Sequence, residues 1–262
     1  MRIVVCIKQV PGSSNVEVDP VTGVIKRDGA KSKMNPYDLY AIELALSLAE
    51  KYGGSVNTIT MGPPQAKNVI IEAIAMGAEC GIVLSDRKFA GADVLATAYT
   101  ISQGIKKSGK FDIIICGKQT TDGDTAQVGA EVAEFLSIPN VANVLSVSDI
   151  SDGQVKLTAS LDYNVAEMSI KTPCLISVDG DINSPRLPSY KVKQAITDDL
   201  VKFFAFDDFD DKNADNYGLS GSATQVERIF PPEKNTEKKN IDGNADEQSE
   251  GLYTLIRERK II

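Results

Sequence analysis

The sequence contains no histidine among its 262 residues. Histidine is the commonest metal ligand in proteins and the usual general base beside a serine or cysteine nucleophile. Its absence argues against a histidine-based metal site and against a hydrolytic triad. Any redox chemistry would therefore have to come from a bound cofactor.

Cysteine is also scarce. The four cysteines, Cys6, Cys80, Cys116 and Cys174, occur singly, and no CxxC spacing suggests a metal site or a redox pair. Three of them lie inside apolar runs, which is typical of buried thiols in a reducing compartment.

Long apolar runs are missing as well. None approaches the roughly 20 residues that span a bilayer, and Pro11 interrupts the first run before it could act as a secretory signal. We therefore expect a cytoplasmic protein without a membrane span. Lys and Arg number 28 against 36 Asp and Glu, a formal net charge of -8. Because the basic residues are also dispersed, nucleic acid is not an expected partner.

The apolar residues that are present, 42% of the chain, form a regular pattern. Short apolar runs bounded by turn residues predict strands buried on both faces, at 2–7, 55–61, 80–85 and 111–117. Helical spacing of apolar residues follows each run, at 37–52, 66–76, 93–106 and 125–136. This alternation predicts an α/β fold with a doubly wound, mostly parallel sheet and right-handed crossovers.

The remaining segments interrupt or extend that pattern. Alternating residues over 14–27 predict a hairpin inserted before the first helix. Short β-like runs at 141–148, 154–161 and 173–178 predict added antiparallel strands or a small extra layer. From about Asn183 the composition turns polar and acidic before a last helical segment at 251–260. This tail is predicted to be an extended arm laid over another subunit, and the alternative is disorder.

Loops at the carboxyl ends of the predicted strands are the expected ligand site. The most informative of them, GKQTTDGDTAQVG (117–129), runs from a buried strand into a helix. It combines glycines with hydroxyl and amide side chains near a helix N-terminus, which suits a pyrophosphate. Asp122 and Asp124 would repel phosphate unless they cap amides or accept ribose hydroxyls. The alternative is a plain capped loop without a ligand.

That loop also carries a resemblance. Together with KMNPYDLYAIE (33–43), AIAMGA (73–78), the opening VCIKQVP and VAEMSIKTPCLISVDGDINSPR (165–186), it resembles the beta subunit of electron-transfer flavoproteins. The segment ASLDYNV (159–165), which leads into the last of these motifs, departs from the sequence motif common in that family at this point. DGDTAQVG, FAGADVLAT (89–97) and GLSGSATQVERIF (218–230) resemble the electron-bifurcating branch, whose beta subunits hold an additional FAD.

The resemblance implies an adenine-nucleotide-binding, Rossmann-like fold and a set of residues around the nucleotide. These are Cys6, Asn35, Pro36, Tyr37, Asp38, Met61, Gly117, Lys118, Gln119, Thr120, Thr121, Asp122, Gly123, Asp124, Thr125, Ala126, Gln127 and Val128. Asn35 has a rival role as a helix N-cap, and Cys6 and Met61 as strand-end packing. Ala90, Gly91 and Asp93 are implied to help admit NADH beside the flavin, although Gly91 and Asp93 could form only a turn and an N-cap.

The resemblance further implies residues 1–185 as an FAD-binding α/β domain and 186–262 as an extended arm with a C-terminal helix on the alpha subunit. In complex, NADH would reduce FAD, and the electrons would go to ferredoxin or flavodoxin and to an acyl-CoA, enoyl-CoA-type or lactate dehydrogenase. One alternative is a conventional, non-bifurcating beta subunit that binds AMP. Another is an ATP-binding sensor of the universal-stress type, and a third is a hydrolase or transferase on the same fold.

Overall fold

The computed structural model describes residues 1–12, 17–18, 25–26, 32–227 and 238–261. Its compact units are Met1–Glu227 and Arg228–Ile262. The strands are β1 (Arg2–Cys6), β2 (Gln9–Pro11), β3 (Glu17–Val18), β4 (Ile25–Lys26), β5 (Ser32–Met34), β6 (Ser55–Met61), β7 (Cys80–Leu84), β8 (Ile113–Gly117), β9 (Asn140–Ser151), β10 (Gln154–Ser160), β11 (Val165–Lys171), β12 (Cys174–Val178) and β13 (Val201–Phe204). The helices are α1 (Pro36–Tyr52), α2 (Lys67–Met76), α3 (Val94–Ser108), α4 (Val128–Leu136), α5 (Tyr190–Ala195) and α6 (Ala245–Glu258).

A nine-stranded sheet forms the centre of the first unit, in the order β11-β10-β9-β12-β8-β1-β6-β7-β13. From β9 to β13 in that order, neighbouring strands run parallel. β10 and β11 are antiparallel additions at one edge. The mostly parallel α/β fold expected from the sequence is therefore confirmed, and so is the addition of antiparallel strands.

Helices cover both faces of this sheet. Apolar residues of α1 and α2 pack in one buried cluster, and those of α3 and α4 pack in a second. Strand residues alternate between the two clusters, so that Ile3 and Val5 join the first while Val4 and Ile114 join the second. Complete burial of each such side chain contributes about 1.5–3 kcal/mol, which makes the two clusters the main source of stability.

Several strands differ from the sequence-based expectation, since β2, β5 and β13 were not predicted and neither β12 nor β11 follows it. β12 was predicted as one of the antiparallel additions but lies between β8 and β9, parallel to both. Its five residues are all buried, as expected for a central parallel strand. β11 was not predicted at all, because only Ile170 in it is buried and its apolar pattern is weak.

Part of the predicted arm is used by the first unit itself. β13 pairs with β7 and extends the parallel sheet, and Phe206, Phe209 and Tyr217 are buried in the second cluster. The Tyr217 ring packs edge-on against Tyr99 of α3, with ring centroids 5.3 Å apart. Phe206, Phe209 and Tyr217 therefore find their cover within their own chain, whereas Phe203 stays 47% exposed. The expectation that 186–262 packs on an alpha subunit stays a prediction.

The second unit contains α6. The helix begins at Ala245, earlier than the predicted 251, because Asn244 accepts hydrogen bonds from the amides of Asp246 and Glu247, both 3.0 Å long. Of the hairpin predicted at 14–27, β3 and β4 pair antiparallel, and its remaining residues lie outside the described ones. None of the helices in the described ranges is long and apolar enough to cross a membrane.

Candidate functional site

A cleft of about 410 Å³ lies beyond the carboxyl ends of β1 and β8, where the sequence analysis expected a ligand. Thirteen of the predicted residues line it, and they are Cys6, Asp38, Met61, Asp93, Gly117, Lys118, Gln119, Thr120, Gly123, Thr125, Ala126, Gln127 and Val128. Asn35, Pro36, Tyr37, Ala90, Gly91, Thr121, Asp122 and Asp124 are not among the lining residues. The structure therefore gathers most of the predicted set around one opening.

Asn35 connects the start of α1 to the loop that follows β8. Its side-chain amide nitrogen donates to Asp38 Oδ1 and to the Gln119 carbonyl oxygen, each at 2.9 Å. Its side-chain oxygen accepts from the amide of Thr121 at 3.3 Å. Although Asn35 occupies the N-cap position, its side chain makes no capping hydrogen bond. The rival N-cap role is therefore not observed for the side chain, and Asn35 fastens the loop instead.

Asp38 lies beneath the same loop. The amide of Lys8 donates to its Oδ2 at 2.7 Å, while Asn35 donates to its Oδ1. Burial raises the pKa of Asp38 to about 7, although these donors oppose the shift. Gly117 permits this close packing, because a β-carbon there would come within 2.6 Å of Asp38 Oδ1.

The loop from Lys118 to Gln127 holds a strained backbone and ends at an open helix terminus. Asp124 and Ala126 have φ values of 52° and 56°, a left-handed conformation that costs an ordinary residue about 1–2 kcal/mol. α4 then begins at Val128 without a side-chain cap. Free amides in the first turn of a helix attract anions, and Val128, Gly129 and Ala130 line the cleft. This combination suits a phosphate group.

Ion pairs reduce the negative charge near this loop. Lys8 Nζ lies 2.8 Å from Asp122 Oδ1, and Lys118 Nζ lies 2.9 Å from Asp179 Oδ2. Partial burial alone would raise the pKa of Asp122, but the hydrogen bond and charge of Lys8, together with hydrogen bonds from Thr120 and from its own amide, lower it. The repulsion expected between Asp122 and a phosphate is therefore weakened by Lys8.

The other side of the cleft is held by a segment distant in sequence. Asp93 caps α3, because its Oδ1 accepts from the amide of Ala96 at 3.0 Å. Its Oδ2 accepts from the amide and the hydroxyl of Thr224 at 2.8 and 3.0 Å. Ser222 Oγ accepts from the amide of Asp93 at 2.9 Å. Gly91 has a φ of 74°, so the rival roles of a turn and an N-cap are both observed.

Some lining residues were missed in the sequence. They are Ile7, Lys8, Ala92, Val94, Thr97, Ile101, Cys116, Gly129, Ala130, Asn140, Val141, Ala142, Leu175 and Ser177. Several sit beside predicted residues and could have been included by extending the predicted loops and helices. Asn140 to Ala142, Leu175 and Ser177 reach the cleft because β12 lies parallel between β8 and β9. No local signal in the sequence reveals this order.

Comparison with known proteins adds to this geometry. A family model described as "Electron transfer flavoprotein domain" matches residues 22–200. The chain is 42% identical over 262 residues to the electron transfer flavoprotein subunit beta of Clostridium acetobutylicum, with both chains fully covered. It is 36% identical over 264 residues to the caffeyl-CoA reductase-Etf complex subunit CarD of Acetobacterium woodii, again with full coverage of both. Protein FixA of Azorhizobium caulinodans is 36% identical over 267 residues, which cover 99% of this chain and 95% of that protein.

Proposed function

The chain belongs to the electron transfer flavoprotein family, among its beta subunits, and from this premise we propose that its cleft holds FAD within a heterodimer with an alpha subunit. In that complex, electrons taken from NADH are divided between ferredoxin or flavodoxin and a partner dehydrogenase. Because the chain belongs to this family, we no longer consider a universal-stress-type sensor or a hydrolase or transferase as its function. A cytoplasmic location is part of the proposal.

The observation that carries the FAD assignment is the loop between β8 and α4. The uncapped first turn of α4 offers main-chain amides to a diphosphate. Asn35 holds the preceding loop in place through Gln119 and Thr121. Left-handed residues that are not glycine, such as Ala126, are typical of ligand clamps, where the surrounding structure maintains the strain. The residues present therefore fit a dinucleotide.

The charges near the loop also fit an anionic ligand. Lys8 lines the cleft and neutralises Asp122, so the diphosphate meets amides and an ion pair rather than a free carboxylate. Buried Asp38, whose pKa is raised to about 7 by desolvation, adds little negative charge below that pH. Bound FAD would supply the electron-transfer chemistry, and the chain supplies binding and electrostatics.

The roles of NADH and the dehydrogenase are supported more indirectly. The similarity to CarD, named as part of a caffeyl-CoA reductase complex, favours a partner that acts on a CoA ester. Acyl-CoA, enoyl-CoA-type and lactate dehydrogenases all remain within the proposal. The NADH role of Ala90, Gly91 and Asp93 rests on the resemblance alone, since Ala90 and Gly91 do not line the cleft.

The cofactor content of the complex tests the FAD assignment. The chain is co-expressed with its alpha subunit, the complex is purified, and its released nucleotides are quantified by absorbance and chromatography. We expect FAD in both subunits. A complex with FAD in the alpha subunit and AMP in this one would make the chain a conventional, non-bifurcating beta subunit.

Electron division is tested separately under anaerobic conditions. NADH oxidation by the complex is followed with ferredoxin and the partner dehydrogenase's acceptor substrate, together and one at a time. We expect oxidation to be fast only when both acceptors are present. Equally fast oxidation with the dehydrogenase alone would contradict bifurcation while leaving FAD binding intact.

A further inference from the structure

Two cysteines far apart in sequence meet at the floor of the cleft. Cys6 ends β1 and Cys116 lies near the end of β8, and the two residues are direct partners in the parallel pairing of these strands. Cys116 belongs to the buried cluster on the α3 and α4 side of the sheet, Cys6 packs against that cluster, and both line the cleft. The Cys6 thiol is close enough to Cys116 to raise the pKa of the Cys116 thiol.

From this juxtaposition we propose that Cys6 and Cys116 are a modification site, a dithiol that forms a reversible disulfide under a peroxide oxidant. Neighbouring strands lie about 4.8 Å apart, which is within the Cα separation of about 4.4–6.8 Å that a disulfide requires. The sequence shows no such pair, because only the register of β1 against β8 brings the thiols together.

The other two cysteines lack this arrangement. Cys80 Sγ accepts a hydrogen bond from Asn57 Nδ2 at 3.0 Å. Cys174 is fully buried in the cluster on the opposite face of the sheet. All four cysteines are free thiols in the structure, so Cys80 and Cys174 serve as internal controls.

The chemistry follows from the exposure of each thiol. Cys6 is partly exposed, whereas Cys116 is buried, and the pKa of Cys116 is raised by the neighbouring Cys6 thiol and by burial. Hydrogen peroxide therefore oxidises Cys6 first, giving a sulfenic acid and one water. The Cys116 sulfur then attacks the Cys6 sulfur, and the displaced hydroxide leaves with the Cys116 proton as a second water. A dithiol reductant restores both thiols.

A disulfide between Cys6 and Cys116 would also affect the start of α4. Gly129, in its first turn, lies against Cys116, since a β-carbon at position 129 would be 3.8 Å from both Cβ and Sγ of Cys116. Drawing Cys116 Sγ towards Cys6 changes the surface on which this turn rests. The consequence for nucleotide binding rests on the proposed function, whereas disulfide formation does not.

Peptide mapping of the full-length chain in its complex with the alpha subunit tests the site. The complex is treated with hydrogen peroxide, remaining thiols are alkylated with iodoacetamide, and the digest is analysed by mass spectrometry. We expect a cross-link between the Cys6 and Cys116 peptides that dithiothreitol removes, with Cys80 and Cys174 still alkylated after unfolding. Sulfinic acid on Cys6 without a cross-link would overturn the proposal.

Nucleotide retention after gel filtration gives the second readout. We expect oxidation to weaken nucleotide retention about tenfold or more in the natural chain. This factor corresponds to the loss of one charge-assisted hydrogen bond. In Cys116→Ala, oxidation should form no cross-link and change retention less than in the natural chain, and Cys80→Ala should behave like the natural chain. A cross-link with unchanged retention would overturn the effect on α4. A cross-link in a chain that holds no nucleotide even when reduced would support the disulfide and overturn the proposed function.

Discussion

The two sides of the cleft are held in different ways. The Asn35 wall, formed by Asn35, Asp38 and the loop 118–127, is fastened by hydrogen bonds that are buried or partly buried. The Asp93 wall, formed by residues 86–94 and fastened by 218–224, depends on hydrogen bonds that are partly or fully exposed. Breaking a buried hydrogen bond leaves a polar group without water, which costs more than breaking an exposed one. We therefore expect the Asn35 wall to be rigid and the Asp93 wall to open more readily.

The largest expected effect concerns the charge of Asp38 in the Asn35 wall. Its pKa rises from 3.8 to about 7 in the folded protein, so between these values the native state holds a proton that the unfolded state has lost. Its contribution to stability is full below about pH 4 and is lost as the pH rises through about 7, by up to about 4 kcal/mol.

Urea unfolding of the natural chain and Asp38→Asn from pH 5 to 8 measures this contribution. The difference in unfolding free energy between the two should change steadily towards pH 7. Asp122→Asn is the control, because the pKa of Asp122 is lowered and its contribution is lost only as the pH falls below its ordinary range. Parallel curves for the natural chain and Asp38→Asn would contradict the prediction.

Removing the fastening side chain is the next test of the Asn35 wall. Asn35→Ala breaks the contacts with Asp38, Gln119 and Thr121 and should lower the free energy of unfolding by about 3 kcal/mol. Nucleotide retention should fall with it. In the control Asn183→Ala, which breaks one hydrogen bond with the Tyr40 carbonyl away from the cleft, we expect about 1 kcal/mol and normal retention. Equal losses of nucleotide in both variants would refute a specific role for Asn35.

A smaller effect is expected from the Asp93 wall. Gly218 has a φ of 56°, and a β-carbon there would collide with the Lys88 carbonyl oxygen. Gly218→Ala should therefore cost about 2 kcal/mol and speed hydrogen exchange in 86–93 and 218–224. Gly123→Ala, in the Asn35 wall, is the matched control, because its β-carbon would meet only Thr120 Oγ1 at 3.6 Å. Similar exchange in the two variants would show that 218–224 does not hold the Asp93 wall.

The smallest effect is expected from Thr224→Val. This variant loses the hydroxyl hydrogen bond with Asp93 but keeps the one from its amide, so the stability change should stay within about 0.5 kcal/mol. Exchange of the amides of Thr224 and Ala96 should rise modestly. A loss of unfolding free energy as large as that of Asn35→Ala would mean that the two walls are equally rigid and would contradict the difference between them.

The sequence predicted those parts of the fold whose signals are local. The apolar runs of β1, β6, β7 and β8 and the helical spacing after them give strand and helix positions directly, because each element buries its own pattern. β12 was wrongly predicted as an antiparallel addition, because a buried run of five apolar residues does not show which strands it pairs with. The packing of 201–217 on its own sheet was also missed, because its apolar residues do not show which surface they cover and the acidic residues between them resemble a solvated tail.

The residues of the candidate site likewise divide into those with a local signal in the sequence and those brought together by long-range packing. Loop 117–128 was found because glycines, hydroxyls and amides at a strand-to-helix junction suit an anion whatever lies around them. The fastening role of Asn35 was not predicted. The resemblance placed Asn35 around the nucleotide and the spacing before α1 offered an N-cap, but neither shows Gln119 and Thr121 beside it. The contact of Cys6 with Cys116 and of Asp93 with Thr224 depends on long-range packing, so neither was available from local patterns.

A density map of this chain in complex with its alpha subunit would show whether the first turn of α4 holds FAD. We expect the diphosphate of FAD at the main-chain amides of Val128, Gly129 and Ala130, with Asn35 still bound to Gln119 and Thr121. Nucleotide density elsewhere in the subunit, with the start of α4 capped by the chain's own side chains, would contradict it.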